Sequence, residues 1–270
     1  MDIIKIKDCN IQKIMDSGQC FRIYYLSRSN KYFVISKDKA SIATQDGDNI
    51  ELECLDNDTD YWSRYFNTDK DYTLIDNNFK SANIDFITKA TDYSKGLRVL
   101  QQDLYETIIS FIISQRKNIS SIRKCIVNLS VCYGEMKEFK GIVYYAFPTV
   151  ENLAGRKLDT IGLGYRQSYI EELIDSLYAN QYKLSDIPRN NYEAALNKLK
   201  EIKGVGDKVA NCVLLYSMGY TNAFPIDTWI QRIIDDDFGG NFPFDSIKSN
   251  KGILQLYMFY YKRYANNSIK

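Results

Sequence analysis

Glu201-Ile202-Lys203-Gly204-Val205-Gly206-Asp207-Lys208-Val209-Ala210 is the stretch on which the reading of this chain turns. Helical periodicity on either side is broken by Gly-Val-Gly, so one helix ends and another starts near Asp207. Glycine admits backbone angles and close approaches that a Cβ forbids. N–H groups at the start of the new helix have no intrahelical acceptor and can grip a phosphate without any side chain. Carbonyls on the other side of the turn offer the oxygen ligands that a hard monovalent cation prefers. Over about residues 191–219 the pattern is that of a helix-hairpin-helix, a clamp for the DNA backbone that ignores base sequence. From these residues alone an ordinary αα-hairpin with a glycine turn stays open. So does a plain phosphate-contacting role for Lys208.

Nineteen residues beyond Lys208 stands Asp227, within Ala223-Phe224-Pro225-Ile226-Asp227-Thr228-Trp229. It falls just before a predicted helix. Its plain role is an N-cap. Its functional role is a carboxylate favoured by the helix dipole and aimed into a cleft. The amine and the carboxylate together say more than either alone.

Composition narrows the chemistry. Among 270 residues there is no histidine, which removes Ser-His-Asp and Cys-His pairs, HExxH zinc sites and any imidazole base. None of the six cysteines forms a CxxC pair or a C-terminal cluster, so a zinc ribbon, a redox dithiol and an iron–sulfur cluster are not expected. Reduced, buried thiols are. A 45% hydrophobic and 26% charged composition describes a globular chain. No apolar run nears the ~20 residues of a membrane span, and Met1-Asp2-Ile3-Ile4-Lys5 lacks a signal peptide's apolar stretch. A cytoplasmic protein with no membrane contact is therefore expected. The net charge of +1 divides into −3 over residues 1–95 and +4 over the rest, which weakly favours a polyanion-binding surface in the C-terminal part.

The first ~75 residues read as β structure. Phe21-Arg22-Ile23-Tyr24-Tyr25-Leu26 and Tyr32-Phe33-Val34-Ile35-Ser36 are β-branched and aromatic runs, and Ser27-Arg28-Ser29-Asn30 between them has hairpin chemistry. Ser41-Ile42-Ala43-Thr44 and the turn at Asp46-Gly47-Asp48 extend the antiparallel sheet. From about Phe79 the period becomes helical. Leu104, Ile108 and Ile112, with Ile109 and Ile113 beside them, mark a helix apolar around much of its girth and hence central. Ile122, Ile126 and Leu129 mark a second, and further helices are expected near 149–154, 167–179, 191–201, 208–218, 228–235 and 251–265. The fold class expected is α+β: a β-rich domain over 1–95 and a helical domain over 96–270 that carries the hairpin.

Here the chain resembles a known family. Gly204-Val-Gly-Asp-Lys208 followed by Pro225-Ile-Asp227 is similar to the helix-hairpin-helix DNA glycosylases that carry both a lysine nucleophile and an aspartate. Asp16-Ser-Gly-Gln-Cys-Phe-Arg22, the run from Gln102 to Gln115, Leu163-Gly-Tyr-Arg166, Lys208-Val-Ala-Asn-Cys-Val-Leu-Leu215 and Leu254-Gln-Leu-Tyr-Met-Phe-Tyr-Tyr261 narrow this to the 8-oxoguanine DNA glycosylase/AP lyases, in their bacterial branch. The matches run in family order from near residue 16 to near residue 261.

The resemblance implies that Lys208 attacks C1′ of the damaged nucleoside, that a Schiff base forms, and that β-elimination nicks the strand. A protonated amine cannot attack, so the site must relieve it of its proton by burial or cationic neighbours. Asp227 would stabilise the cationic sugar and handle protons. The flipped base would lie between Cys212 and Phe259, with Gln255 on its Watson–Crick edge and the Gly18 carbonyl accepting from N7–H. Gly204, Val205 and Gly206 would hold the backbone, with Arg116, Asn118, Arg166 and Tyr165 also on DNA. The carbonyls of Lys200, Ile202 and Val205 would be the ligands of a monovalent cation, if one binds; no cofactor is required. The partner implied is duplex DNA containing 8-oxoguanine, met by a monomer in the nucleoid.

Three departures stand out. Arg116 and Lys117 replace two asparagines of the family's usual run, so Arg116 becomes the candidate wedge for the vacated duplex space. Ser121 takes the place of one of two arginines that read the orphaned cytosine in well-studied eukaryotic members, which predicts a weaker preference for cytosine. Trp229 stands where several relatives have histidine. A glycosylase for alkylated purines and a non-catalytic damage-recognition protein are the competing readings.

Overall fold

Strands form where apolar and polar residues alternate. In β5 (Asn49–Cys54), Ile50, Leu52 and Cys54 are buried while Glu51 and Glu53 lean towards solvent. With β1 (Asp2–Ile6), β2 (Ile23–Leu26), β3 (Lys31–Ser36) and β4 (Lys39–Asp46) it makes an antiparallel sheet of order β1-β5-β4-β3-β2. Registers include Ile6 opposite Ile50, Ala43 opposite Leu52, and Ile23 opposite Val34. The computed structural model describes residues 1–265.

In β3 both faces are apolar, and the fold buries both. Tyr32 and Val34 join the main core, whereas Phe33 and Ile35 meet Ile42, Phe139 and Tyr144 on the other face. That second face is covered by a hairpin, β6 (Met136–Phe139) and β7 (Ile142–Tyr145), which the sequence reading did not foresee. Its signal was legible: Lys140-Gly141, both at positive φ, turns into the β-branched and aromatic run Ile142-Val-Tyr-Tyr145.

The β structure also ends earlier than the expected ~75 residues. After α1 (Ile11–Asp16), helices resume at α2 (Thr59–Tyr65), α3 (Tyr72–Lys80) and α4 (Asp85–Ser94). The aromatic residues of α2 imitate a strand by composition. Their spacing is helical: Trp62, Tyr65 and Phe66, at i, i+3 and i+4, all turn into the core. The division expected at 95/96 does not part the packing, because α4 lies against the last helix, α12 (Lys251–Tyr264). Tyr257 of α12 donates to Asp76 of α3 at 3.0 Å, and the Ser94 hydroxyl donates to the Tyr257 carbonyl at 3.2 Å.

The central helix is α5 (Leu104–Ser114), in which every residue from Glu106 to Ile113 is buried. Around it lie α6 (Ile119–Tyr133), α8 (Arg166–Tyr178) and α10 (Asp207–Ser217), with α7 (Val150–Leu153), α9 (Tyr192–Lys200) and α11 (Thr228–Phe238) completing the body. These match the helices expected from periodicity to within a few residues. Glu106 is the costly member of α5. Burial pushes its carboxyl upward, and the adjacent Arg22 guanidinium, 3.3 Å away, opposes the shift. The Lys37 amide also donates to Glu106, at 2.6 Å, so this pair joins sheet to helices. No described helix is long and apolar enough to cross a membrane.

Candidate active site

Lys208 lies in the first turn of α10, directly behind the glycine turn. Gly204 sits at φ +83°, and a Cβ there would fall 2.3 Å from the Tyr169 ring, so only glycine fits. Gly206 caps α10 with no side-chain acceptor, which leaves the first N–H groups of the helix without a partner among the described residues. The Gln115 amide donates to the Gly204 carbonyl at 3.0 Å and ties the hairpin to the end of α5. At the turn, the Ile202 carbonyl already accepts from Val205 N–H at 2.9 Å, while no bond among the described residues ends on those of Lys200 and Val205.

The Lys208 amine is held 5.2 Å from the centre of the Phe111 ring. That ring is stacked on Tyr216 and edge-on to Phe21. Phe111 belongs to the apolar run of α5, and nothing in the run distinguishes it from its core neighbours, so sequence reasoning passed it over. One turn along α10, burial pushes the Cys212 thiol up to about 11, against the opposing pull of the Lys208 amine. Cys212 is therefore a neutral thiol near pH 7.

Asp227 fills both roles considered for it. It is the N-cap of α11, with Oδ1 accepting from Trp229 and Ile230 N–H at 3.0 and 2.9 Å. It also lines, with Lys208, a cleft of about 900 Å³. Gly18, at φ +77°, and Phe259 line the same cleft, as do Arg116 and Asn118. Lys117, Trp229 and Arg263 are further members. Four cationic side chains thus face one acid, a charge pattern suited to a polyanion. A smaller cavity of about 240 Å³ beneath the β6–β7 hairpin is mainly apolar, and neither a lysine nor a carboxylate lines it.

Other expected residues lie elsewhere. Cys212 and Gln255, 3% and 4% exposed, are buried behind the cleft wall. The Gln255 Oε1 has no hydrogen-bond partner there, a condition that a buried acceptor rarely tolerates. Arg166 is 6% exposed and does not face the cleft. Its guanidinium donates to the carbonyls of Gln115 and Leu163 and lies 4.3 Å from the Tyr165 ring. Tyr165 itself is half exposed. Asn118 caps α6, its Oδ1 accepting from Ser121 N–H and the Ser120 hydroxyl. Arg116 is exposed at φ +51° just beyond α5, where it can project from the loop. Phe259 is edge-on to Trp229, with the rings 6.5 Å apart.

Comparison with known proteins bears directly on this arrangement. The 8-oxoguanine DNA glycosylase N-terminal domain matches residues 3–108. An N-glycosylase/DNA lyase of Saccharomyces cerevisiae is 30% identical over 258 residues, covering 84% of this chain and 68% of the yeast protein. The chain belongs to the 8-oxoguanine DNA glycosylase/lyase family. The 8-oxoguanine glycosylase/lyase of Clostridium acetobutylicum, solved with duplex DNA containing cytosine opposite 8-oxoguanine, superposes with a TM-score of 0.87 at 30% identity. That match covers 98% of this chain and 99% of the clostridial one. A probable N-glycosylase/DNA lyase of Methanothermobacter thermautotrophicus is 32% identical over 167 residues, about half of each chain. A 3-methyladenine glycosylase of Archaeoglobus fulgidus shares the fold at 18% identity and a TM-score of 0.79. The glycosylase/lyase fold thus brings Lys208, Asp227, Gly18 and Phe259 to one cleft across more than two hundred residues of chain.

Proposed function

We propose that the protein excises 8-oxoguanine from duplex DNA and then nicks the strand, with Lys208 as nucleophile. The observation that carries this reading is the Lys208 amine and the Asp227 carboxylate opening on one cationic cleft beside Gly18 and Phe259. Deprotonated, Nζ attacks C1′ of the extruded nucleotide, and the N-glycosidic electron pair leaves with the base, which takes up a proton. Opening of the sugar ring yields the iminium. Loss of a C2′ proton then expels the 3′ phosphate oxygen. Asp227, pinned by two N–H donors on one oxygen, presents its other oxygen to the cationic sugar as charge develops.

The Gly18 carbonyl is the acceptor for N7–H, which guanine lacks. An acceptor left unpaired in a dry pocket costs about 1–3 kcal/mol, and lone-pair repulsion adds to it. Gln255, buried with an Oε1 that lacks a donor, would meet the edge of a base that enters between Cys212 and Phe259, and the unpaired acceptor supports this role. The open N–H groups before Lys208 grip the backbone phosphate. The free carbonyls of Lys200 and Val205, with Ile202, suit a monovalent cation at the hairpin, and the chemistry itself calls for no cofactor. The enzyme acts as a monomer on the chromosome in a reducing cytoplasm, consistent with six unpaired cysteines.

Alkylated purines are the second reading, favoured by 27% identity to a DNA-3-methyladenine glycosylase of Bacillus subtilis over 62% of this chain. Lys208 counts against it, because a positively charged alkylpurine departs without an amine nucleophile. Borohydride trapping decides. A covalent adduct is expected on a duplex with 8-oxoguanine opposite cytosine, and none on undamaged duplex. Absence of an adduct on the damaged duplex overturns the proposal.

A further inference from the structure

Gly18 presents a difficulty that its neighbours resolve. A glycine at positive φ has the freest backbone of any residue, yet its carbonyl must hold a fixed place if one hydrogen on a base is to be recognised. Among the described residues no hydrogen bond ends on that carbonyl. It shares a rigid peptide plane with the Gln19 N–H, so whatever holds Gln19 holds the acceptor.

Gln19 is fully buried and is gripped from both sides. Its Oε1 accepts from Leu100 N–H at 2.8 Å. Its Nε2 donates to the Arg98 carbonyl at 2.8 Å and to the Ser17 hydroxyl at 3.1 Å. Its own carbonyl accepts from Gln102 Nε2 at 2.7 Å. The segment that receives these bonds is itself immobilised. Arg98, 3% exposed, donates to the carbonyls of Lys7, Phe66, Asn67 and Lys70. Gln102 N–H donates to the Tyr216 carbonyl of α10 at 2.7 Å. Gln102 therefore links the Gly18 loop to the helix that carries Lys208.

We propose that Gln19 is a positioning residue for lesion recognition, and that Gln102 sets its register against α10. The pair fixes the Gly18 carbonyl relative to the Lys208 amine, so that a base seated for attack is also a base whose N7 is tested. This rests on the reading of Gly18 and Lys208 given above. A residue held by three side-chain bonds and one on its carbonyl is the device expected where glycine cannot hold its own geometry.

The reaction itself separates this role from a structural one. An abasic duplex has no base to test, so strand nicking there needs Lys208 and not the Gly18 carbonyl. In Gln19→Leu, single-turnover release of 8-oxoguanine should fall at least about tenfold, the loss of one good hydrogen bond, with nicking of the abasic duplex within about twofold of wild type. The preference for binding 8-oxoguanine over guanine should shrink alongside. Gln102→Leu, at a half-buried position, should give the same signature and decides the matter if Gln19→Leu does not fold. A parallel fall in both reactions, or no change in either, overturns the assignment. Wild-type protein that forms no borohydride adduct with damaged duplex would instead sink the reading of the site itself.

Discussion

Lys208 shows how little a residue's surroundings resemble its motif. The motif is a glycine turn and a helix start, but the amine rests against Phe111, one helix away, and beside a neutral Cys212 thiol. Lys208→Gln keeps a polar side chain, one atom shorter, and removes the amine. It should abolish strand cleavage and borohydride trapping, with duplex binding within about threefold of wild type; persistent trapping in this variant would refute the role of Lys208. Arg166 carries the opposite lesson. The sequence pattern sends it to the orphaned cytosine, yet its guanidinium is held by the carbonyls of Gln115 and Leu163. With Ser121 in the place of a second arginine, little is left to select cytosine. Cleavage opposite adenine should come within about tenfold of cleavage opposite cytosine, and a gap of about a hundredfold, roughly 2.7 kcal/mol, would overturn this.

At the scale of elements, helix placement is decided by long-range pairs. The contact of α3 with α12 runs through Asp76 and Tyr257. Burial raises the Asp76 carboxyl to about 6, and the Tyr257 hydroxyl bond only partly opposes it. In the unfolded chain such a group titrates near ~3.9. As pH rises from about 4 to about 6 the unfolded chain sheds this proton while the folded chain keeps it, so stability falls across that window and levels off above it. Asp76→Asn removes the slope and keeps an oxygen for Tyr257. Its melting temperature relative to wild type should rise by roughly 2 °C or more between pH 4.5 and pH 7.5. An unchanged difference would show that Asp76 does not titrate in this range. The β6–β7 hairpin was missed for a related reason. Its pattern is plain once sought, but its position, lodged after a helix and against a remote sheet face, is written in no local stretch.

For the whole molecule, the near-zero net charge conceals a cleft in which four cationic side chains face one carboxylate. Binding to duplex DNA should therefore weaken steeply with salt. Three to four phosphate contacts predict a loss of roughly forty- to hundred-and-fiftyfold between 50 and 200 mM. A loss below about threefold would place the duplex on another surface. The same cleft gathers Gly18, Phe111 with residues 114–119, Lys208, Asp227 and Phe259 from five separate stretches of chain.

Read alone, the sequence determined which chemical groups are available and where the helix-hairpin-helix lies. With no histidine, chemistry is left to Lys, Asp, Glu, Cys, Tyr or the backbone, and the glycine turn, with Gly204 at positive φ, puts Lys208 at a helix start. Helix periods and the sheet's alternation were local signals and were read correctly where neighbours in sequence are also neighbours in space. Only the tertiary structure decided the rest. It resumed the helices at residue 59, where aromatic composition imitated a strand, and it bound Arg166 to backbone carbonyls. It also joined Gln19 to Leu100 and Gln102, and through Gln102 to α10. These outcomes depend on which distant groups meet in the core, and buried hydrogen-bond donors and acceptors must be satisfied by whatever partner the packing supplies.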